Sequence, residues 1–272
     1  MAKAGFRITI AAAVLAGSAV TASAADMPVK APMFAPMPAA YDWSGWYAGV
    51  GIGGLWGDSN YLYPLDPARA AGGYAVPFEQ AMASTHGGYQ WHFKTWQTGG
   101  FVIGMEYSGA ANLSEYGDGT ACAPAGAAVA LTCQTRMENL FTLGGRLGFT
   151  WDRFMLYGSG GWAGATVNTR EADTATGLGV NTTRGWHSGW YAGGGIDYVF
   201  YQTKGTDWIL GVEYQHIDFA DSVRHFVGTV PVGIATRDVD LTADYVRAKL
   251  TVKLNGPYGF FGSGAGPVVA RY

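Results

Sequence analysis

A chain of 272 residues with a net charge of −3, 14% charged residues and 42 glycines can form one large all-β domain or two ordinary ones. Its charged share lies well below the usual ~25%, and glycine is about twice its usual ~7%. No basic footprint favours nucleic acid, and no segment after the leader matches the roughly 20-residue apolar helix that spans a bilayer, because charge-free runs are short and glycine-broken.

Residues 1–24 read as a secretory signal: Lys3 and Arg7 start it, Ile8 to Val20 are apolar, and Ala22-Ser23-Ala24 is a small-residue cleavage site. Residues 25–41 carry Pro28, Pro32, Pro36 and Pro38 and read as an extended periplasmic linker. A barrel domain is expected over 42–255. Its opening, Trp43-Ser44-Gly45-Trp46-Tyr47-Ala48-Gly49-Val50-Gly51-Ile52-Gly53, separates with period two into Trp46, Ala48, Val50 and Ile52 on one face and Tyr47 with three glycines on the other. The theme returns residue for residue at Ser188-Gly189-Trp190-Tyr191-Ala192-Gly193.

Seven more strand-like stretches follow. Residues 81–93 set Tyr89, Trp91 and Phe93 against Gly88, Gln90 and His92, and 99–110 set Phe101, Ile103, Met105 and Tyr107 against Gly104, Glu106 and Ser108. Residues 136–149 set Phe141, Leu143, Leu147 and Phe149 against Thr142, Gly144, Arg146 and Gly148, whereas the glycine-rich 154–168 has no clear facing. Residues 186–200 set Trp190, Ala192, Ile196 and Tyr198 against Tyr191, Gly193, Gly195 and Asp197. Residues 207–218 set Trp208, Leu210, Val212 and Tyr214 against Gly211, Glu213 and Gln215. Residues 238–254 set Val246, Ala248, Leu250, Val252 and Leu254 against Tyr245, Arg247, Lys249, Thr251 and Lys253.

Connections at 94–98, 150–153 and 201–206 are short, and those at 58–80, 111–135, 170–184 and 220–237 are long. Short turns alternating with long loops around an even strand count predict an eight-stranded antiparallel transmembrane up-and-down β-barrel, which leaves no unpaired edge in lipid. A soluble β-sandwich explains the strands but not apolar outward faces paired with polar inward ones. Residues 256–272, with Gly259, Gly262, Gly264 and Gly266 after Gly256-Pro257, read as a flexible periplasmic tail.

The Trp43–Gly49 opening, the paired Phe101-Val102-Ile103-Gly104-Met105-Glu106-Tyr107 and Trp208-Ile209-Leu210-Gly211-Val212-Glu213-Tyr214, and the closing Tyr245-Val246-Arg247-Ala248-Lys249-Leu250 resemble the porin-family small outer-membrane barrels. That group includes surface antigens and some haem binders. The resemblance spans about 41–254 and implies an eight-stranded barrel in the cell outer membrane of a Gram-negative bacterium, not any one activity.

Glu106, Arg146, Asp197, Glu213, Arg247 and Lys249 fall on inward faces at similar heights and are expected to form one ionic layer. Charges in so narrow a lumen must be paired, and eight strands enclose little more than their own side chains, so a plug is favoured over a conducting selectivity ring. Cys122 and Cys133 bracket an Ala/Gly/Pro-rich segment of an exported chain and are expected to be bridged; a metal site would want further ligands nearby. His216, Asp218, Asp221 and His225 cluster where the seventh strand enters its loop, but no serine nucleophile stands at a recognisable spacing; solvated loop residues are the favoured reading. His86 and His92 are similarly read as lumen or rim histidines rather than haem ligands. The expectation is a structural or surface protein, not an enzyme, without cofactor. Its partners would be outer-membrane lipid, the barrel-assembly machinery and an extracellular ligand or host surface met by the loops, with no nucleic acid. A small-solute porin and a surface haem or metal binder are the alternatives.

Overall fold

The computed structural model describes residues 41–62, 74–117, 119–122, 130–226 and 236–255. The signal at 1–24, the linker up to residue 40 and the tail at 256–272 lie outside the described residues. Eight long strands follow one another: β1 (Gly45–Leu62), β2 (Tyr74–Trp96), β3 (Gly99–Asn112), β4 (Leu131–Trp151), β5 (Phe154–Asp173), β6 (Gly179–Gln202), β7 (Thr206–Phe226) and β8 (Thr236–Leu254). Each pairs antiparallel with its sequence neighbour, and β1 pairs with β8, so the sheet closes into a ring with no free edge among its long strands. A two-residue strand, Thr120–Ala121, adds to β4 at the long-loop end. Beside it Cys122 and Cys133 form a disulfide.

The alternation that organises the sequence sets the wall. Val50, Ile52, Ile103, Met105, Leu143, Leu147, Leu156, Ile196, Leu210 and Val212 stand outward and exposed. The facing of β5, ambiguous in the sequence, is Phe154, Leu156 and Trp162 outward, with Met155, Tyr157 and Ala163 inward. Inward glycines make room for tyrosines: a Cβ on Gly88 would meet the Tyr47 phenol, and one on Gly195 the Tyr157 phenol. The β4–β5 turn is only Asp152-Arg153, with Asp152 in the left-handed region that a short polar side chain tolerates.

The long connections are shorter than expected. The β1–β2 ladder runs out to Tyr61 paired with Tyr74, and the β5–β6 hairpin closes over residues 174–178, so most of the segment expected as a loop at 170–184 is strand. At this end the pattern changes sign, with Ser59, Tyr61, Val76, Phe78, Val239 and Leu241 inward and Asp58, Asn60, Glu79 and Asp240 outward. A strand with a polar outer face reads as a loop only to a search for greasy outward faces.

Candidate functional site

The buried side chains of the inner face fall into layers. At mid-height six charged side chains from five strands meet in a closed circuit of alternating sign. Arg146 on β4 reaches Glu106 on β3 at 3.1 Å and Asp197 on β6 at 2.8 Å. Arg247 on β8 reaches the same Glu106 at 3.2 Å and Glu213 on β7 at 3.0 Å. Lys249 on β8 closes the circuit, 2.9 Å from Glu213 and 3.7 Å from Asp197. Three cations and three carboxylates leave it formally neutral, and all six side chains are buried. In a low-dielectric interior a lone ion would cost several kcal/mol, and mutual pairing offsets that cost.

Two tyrosines brace the circuit. The Tyr47 hydroxyl donates to Glu106 at 3.0 Å and the Tyr157 hydroxyl to Glu213 at 3.1 Å, while Lys249 donates to Tyr157 at 2.6 Å. The Arg146 guanidinium lies 3.9 Å from the centre of the Tyr157 ring. Period-two spacing places Tyr47 on the lumen face, whereas the facing of Tyr157 was open in the sequence, and nothing there marks either as a partner of the charges.

Apolar layers lie on both sides. Towards the long loops, Leu55, Phe78, Met82, Met137, Leu140, Ile217, Phe219 and Leu241 form one buried cluster. Towards the short turns, Val102, Met155, Val199 and Ile209 pack with Tyr41 and Trp43, from the segment just before β1. That segment stoppers the mouth. The Trp43 indole donates to the Asp152 carbonyl at 3.0 Å, Gln90 donates to the Trp43 carbonyl at 2.7 Å, and Lys253 donates to the carbonyls of Asp42 and Ser44. The Tyr41 hydroxyl donates to Asp207 at 2.6 Å, and burial first, then this bond, pushes its phenol above the ordinary range. The His92 imidazole, 3.6 Å away, is the main influence holding the Asp42 carboxyl below the usual carboxylate range; partial burial opposes it, and the Ser44 amide and hydroxyl and Lys94 assist. Tyr41 falls at the end of the expected linker, where its role as stopper was not legible.

The remaining histidines are engaged separately. His86 is buried and bonds Thr251 at 2.7 Å, and His92 bonds Thr150 at 2.9 Å. His216 faces outward and pairs with Asp244 at 2.9 Å, with Tyr214 donating to the same carboxylate oxygen at 2.6 Å. Asp218 also lies on the outer face of β7, two residues further towards the long loops; the side chains of Asp221 and His225 lie outside the described residues. The structure therefore does not bring the four into one described cluster, and no group of three or more metal-ligating side chains occurs among the described residues.

No protein-family model matches the chain, and no curated protein sequence matches it. Among solved structures, it is similar to the attachment invasion locus protein Ail of Yersinia pestis, in complex with the heparin analogue sucrose octasulfate, at 10% identity and TM-score 0.35, over 76% of this chain and 99% of that one. It is also similar to Neisserial surface protein A at 11% identity and TM-score 0.32, over 77% and 97%. The outer membrane protease OmpT of Escherichia coli scores 0.37 at 8% identity, over 78% and 97%.

Proposed function

We propose that this protein is an integral outer-membrane β-barrel of a Gram-negative bacterium with a structural or surface role, its lumen plugged against solute flow and its long-loop end turned outward from the cell. The observation that carries the reading is the outer face. An aliphatic band of Val50, Ile52, Met105, Leu147, Leu156 and Val212 runs round the wall. Aromatic rings bracket it, with Trp91, Phe93, Phe101, Phe149, Phe154 and Tyr198 towards the short turns and Trp56, Phe141, Trp162, Trp186, Trp190 and Tyr214 towards the long loops. Along β1 the interval from Trp46 to Trp56 is ten residues. At ~3.3 Å per residue and a tilt of ~40°, that spans about 25 Å, the height of an outer-membrane apolar belt. Water would disfavour such a face, whereas lipid matches it.

The plug rests on the neutral circuit between two apolar layers. A conducting pore needs a wetted path, and here Trp43 and Met155 on one side and Met137 and Leu140 on the other bury the charges. The refolded protein in planar bilayers is expected to give a heat-modifiable, folded form without stepwise conductance. Discrete steps that disappear on Glu106→Gln would instead favour the small-solute porin.

A further inference from the structure

One side of the outer wall is built differently from the rest. On β4, β5 and β6, Arg136, Asn168 and Arg184 lie in one cross-strand row, and Arg170 stands two residues above Asn168. All four are outward, just beyond the Phe141, Trp162 and Trp186 part of the aromatic ring. Among the described residues, Glu138, at the β4 register shift, is the carboxylate that pairs with them, 2.7 Å from Arg184 and 3.9 Å from Arg136. Tyr116 lies under two of the guanidinium groups, 4.6 Å from Arg136 and 5.8 Å from Arg170. The Nε of Arg136 is buried without a hydrogen-bond acceptor, and the Arg184 side chain is 63% exposed. Elsewhere on the wall beyond the aromatic ring, the described outward side chains Asp58, Glu79 and Asp240 are acidic, and lower down Asp218 and the His216–Asp244 pair stand beside the ring.

Directly below the arginines, the Trp162 and Trp186 rings stack 6.3 Å apart. A Cβ at Gly164 would collide with both rings, so this glycine is the floor that lets the indoles lie down. Their outer faces stay open to a flat, partly apolar ring from outside. Lower still, Gly145, Gly158, Gly160, Ala192 and Gly194 are outward neighbours across the same three strands. Of these, Gly145, Gly158 and Gly160 line a hollow of about 480 Å³ walled by Ile103 and Leu147. A Cβ on Gly145 or Gly158 would find its nearest neighbour atom 3.8 Å away, so the backbone there does not demand glycine. The wall itself has room for larger side chains and instead presents a trough. From Gly160 to Asn168 is eight residues of β5. That is about 20 Å along the membrane normal, close to one leaflet with its headgroups.

We infer that this column seats a phosphate-bearing glycolipid of the outer leaflet, with its phosphate on Arg136, Arg170 and Arg184, its sugar against the Trp162–Trp186 pair and an acyl chain in the glycine trough. The inference rests on the membrane reading above. Charge complementarity selects the ligand class: guanidinium groups fork onto phosphate oxygens, and among the described residues the ion pairs of these three arginines run to Glu138 alone, from Arg136 and Arg184. The continuity of trough, indoles and arginines selects a lipid over a soluble anion, which would use the top of the column alone.

Native mass spectrometry of the refolded protein in detergent tests this with diphosphoryl lipid A, the same lipid stripped of phosphate, and inorganic phosphate as competitor. One lipid A is expected to be retained, at least tenfold more tightly than its dephosphorylated form. Arg184→Gln alone, at a largely exposed side chain, should weaken retention several-fold, and Arg136→Gln with Arg184→Gln at least tenfold. Gly158→Leu should weaken the lipid by filling the trough, while Asp218→Asn on the acidic flank should not. Equal retention of the two lipids, or unchanged retention in the arginine variants, would overturn the site. Displacement by equimolar inorganic phosphate, or indifference to Gly158→Leu, would assign the arginines to a soluble anion and overturn the lipid. Failure of the protein to insert into phosphatidylcholine vesicles would sink the membrane reading as well, whereas insertion without lipid preference would sink this inference alone.

Discussion

β8 contains two proteins' worth of logic in one strand. From Val239 to Tyr245 the apolar residues Val239, Leu241 and Ala243 point inward and Asp240, Thr242 and Asp244 outward, as in a soluble sheet. From Val246 to Lys253 the arrangement reverses, with Val246, Ala248 and Leu250 outward and Arg247, Lys249 and Lys253 inward. The backbone continues unchanged through the switch, in unbroken register with β1. On the proposed membrane reading, the difference lies in what surrounds the wall. Where water is outside, burial favours greasy side chains inside; where lipid is outside, the apolar faces are already satisfied and the lumen can be given to paired charges. On that reading the inversion marks the height at which the surrounding solvent changes.

This comparison can be broken most severely in the inverted section. Glu213→Ala leaves Arg247 and Lys249 with one carboxylate contact each, to Glu106 and Asp197. An unbalanced buried charge of this kind costs about 3–5 kcal/mol, read as a shift in urea unfolding of the refolded protein. Unchanged stability would mean a hydrated lumen. The outer face offers a sharper pair. Val212→Lys, in the aliphatic band, should cost about 2–4 kcal/mol, whereas Thr242→Lys, on the polar outer face of β8, should cost about 0–1 kcal/mol. Equal costs would remove the boundary between the sections.

A third effect is confined to the long-loop end. Reducing Cys122–Cys133, a bridge across 11 positions, should loosen the segment it closes by about 2–3 kcal/mol in the chain-entropy account. Faster proteolysis there, with heat-modifiable mobility retained, is the expected result; loss of the folded band would tie the bridge to the barrel itself. The smallest effect is at the short-turn mouth. Because the Asp42 carboxyl is held below its ordinary range, its stabilisation is present above pH ~4 and fades as pH falls below that value. Asp42→Asn should therefore be slightly less stable than the native chain at pH 7 and indistinguishable from it at very low pH, with the difference small because the carboxylate is more than half exposed. A gap that widens on acidification would contradict this sign.

The inverted section is the part of the fold most open to reading from sequence. Ile103, Met105 and Tyr107 against Gly104 and Glu106 can be sorted by period alone, because both faces are chemically extreme. The six charges of the circuit could be placed on inward faces for the same reason, since a charge in such a strand has nowhere else to go. Strand order alone brings Glu106 to Arg146 and Glu213 to Arg247 or Lys249, as hairpin neighbours, and these contacts form. The links of Arg247 to Glu106 and of Arg146 and Lys249 to Asp197 were not legible, because they depend on side-chain reach across the lumen. The long-loop section was harder: Asp58, Asn60, Glu79 and Asp240 look like loop residues until Ser59, Tyr61, Val76 and Val239 are seen to alternate with them inside. Tyr41 and Trp43 were hidden for another reason. They follow a proline-rich run, and their burial depends on Asp152 and Asp207, more than 100 residues away.

Those distant contacts bear on the order of events in folding. Tyr41 and Trp43 grip the β4–β5 turn and the start of β7, groups that lie beneath the same opening only after β1 has met β8. The three short-turn hairpins can zip from turns of two or three residues, but joining the first strand to the last must pay the loop-closure entropy of nearly the whole chain. The stopper therefore cannot help the cylinder to close. It acts afterwards, adding bonds across the mouth that must be withdrawn before the seam can open, and so slows the way out while leaving the way in unchanged.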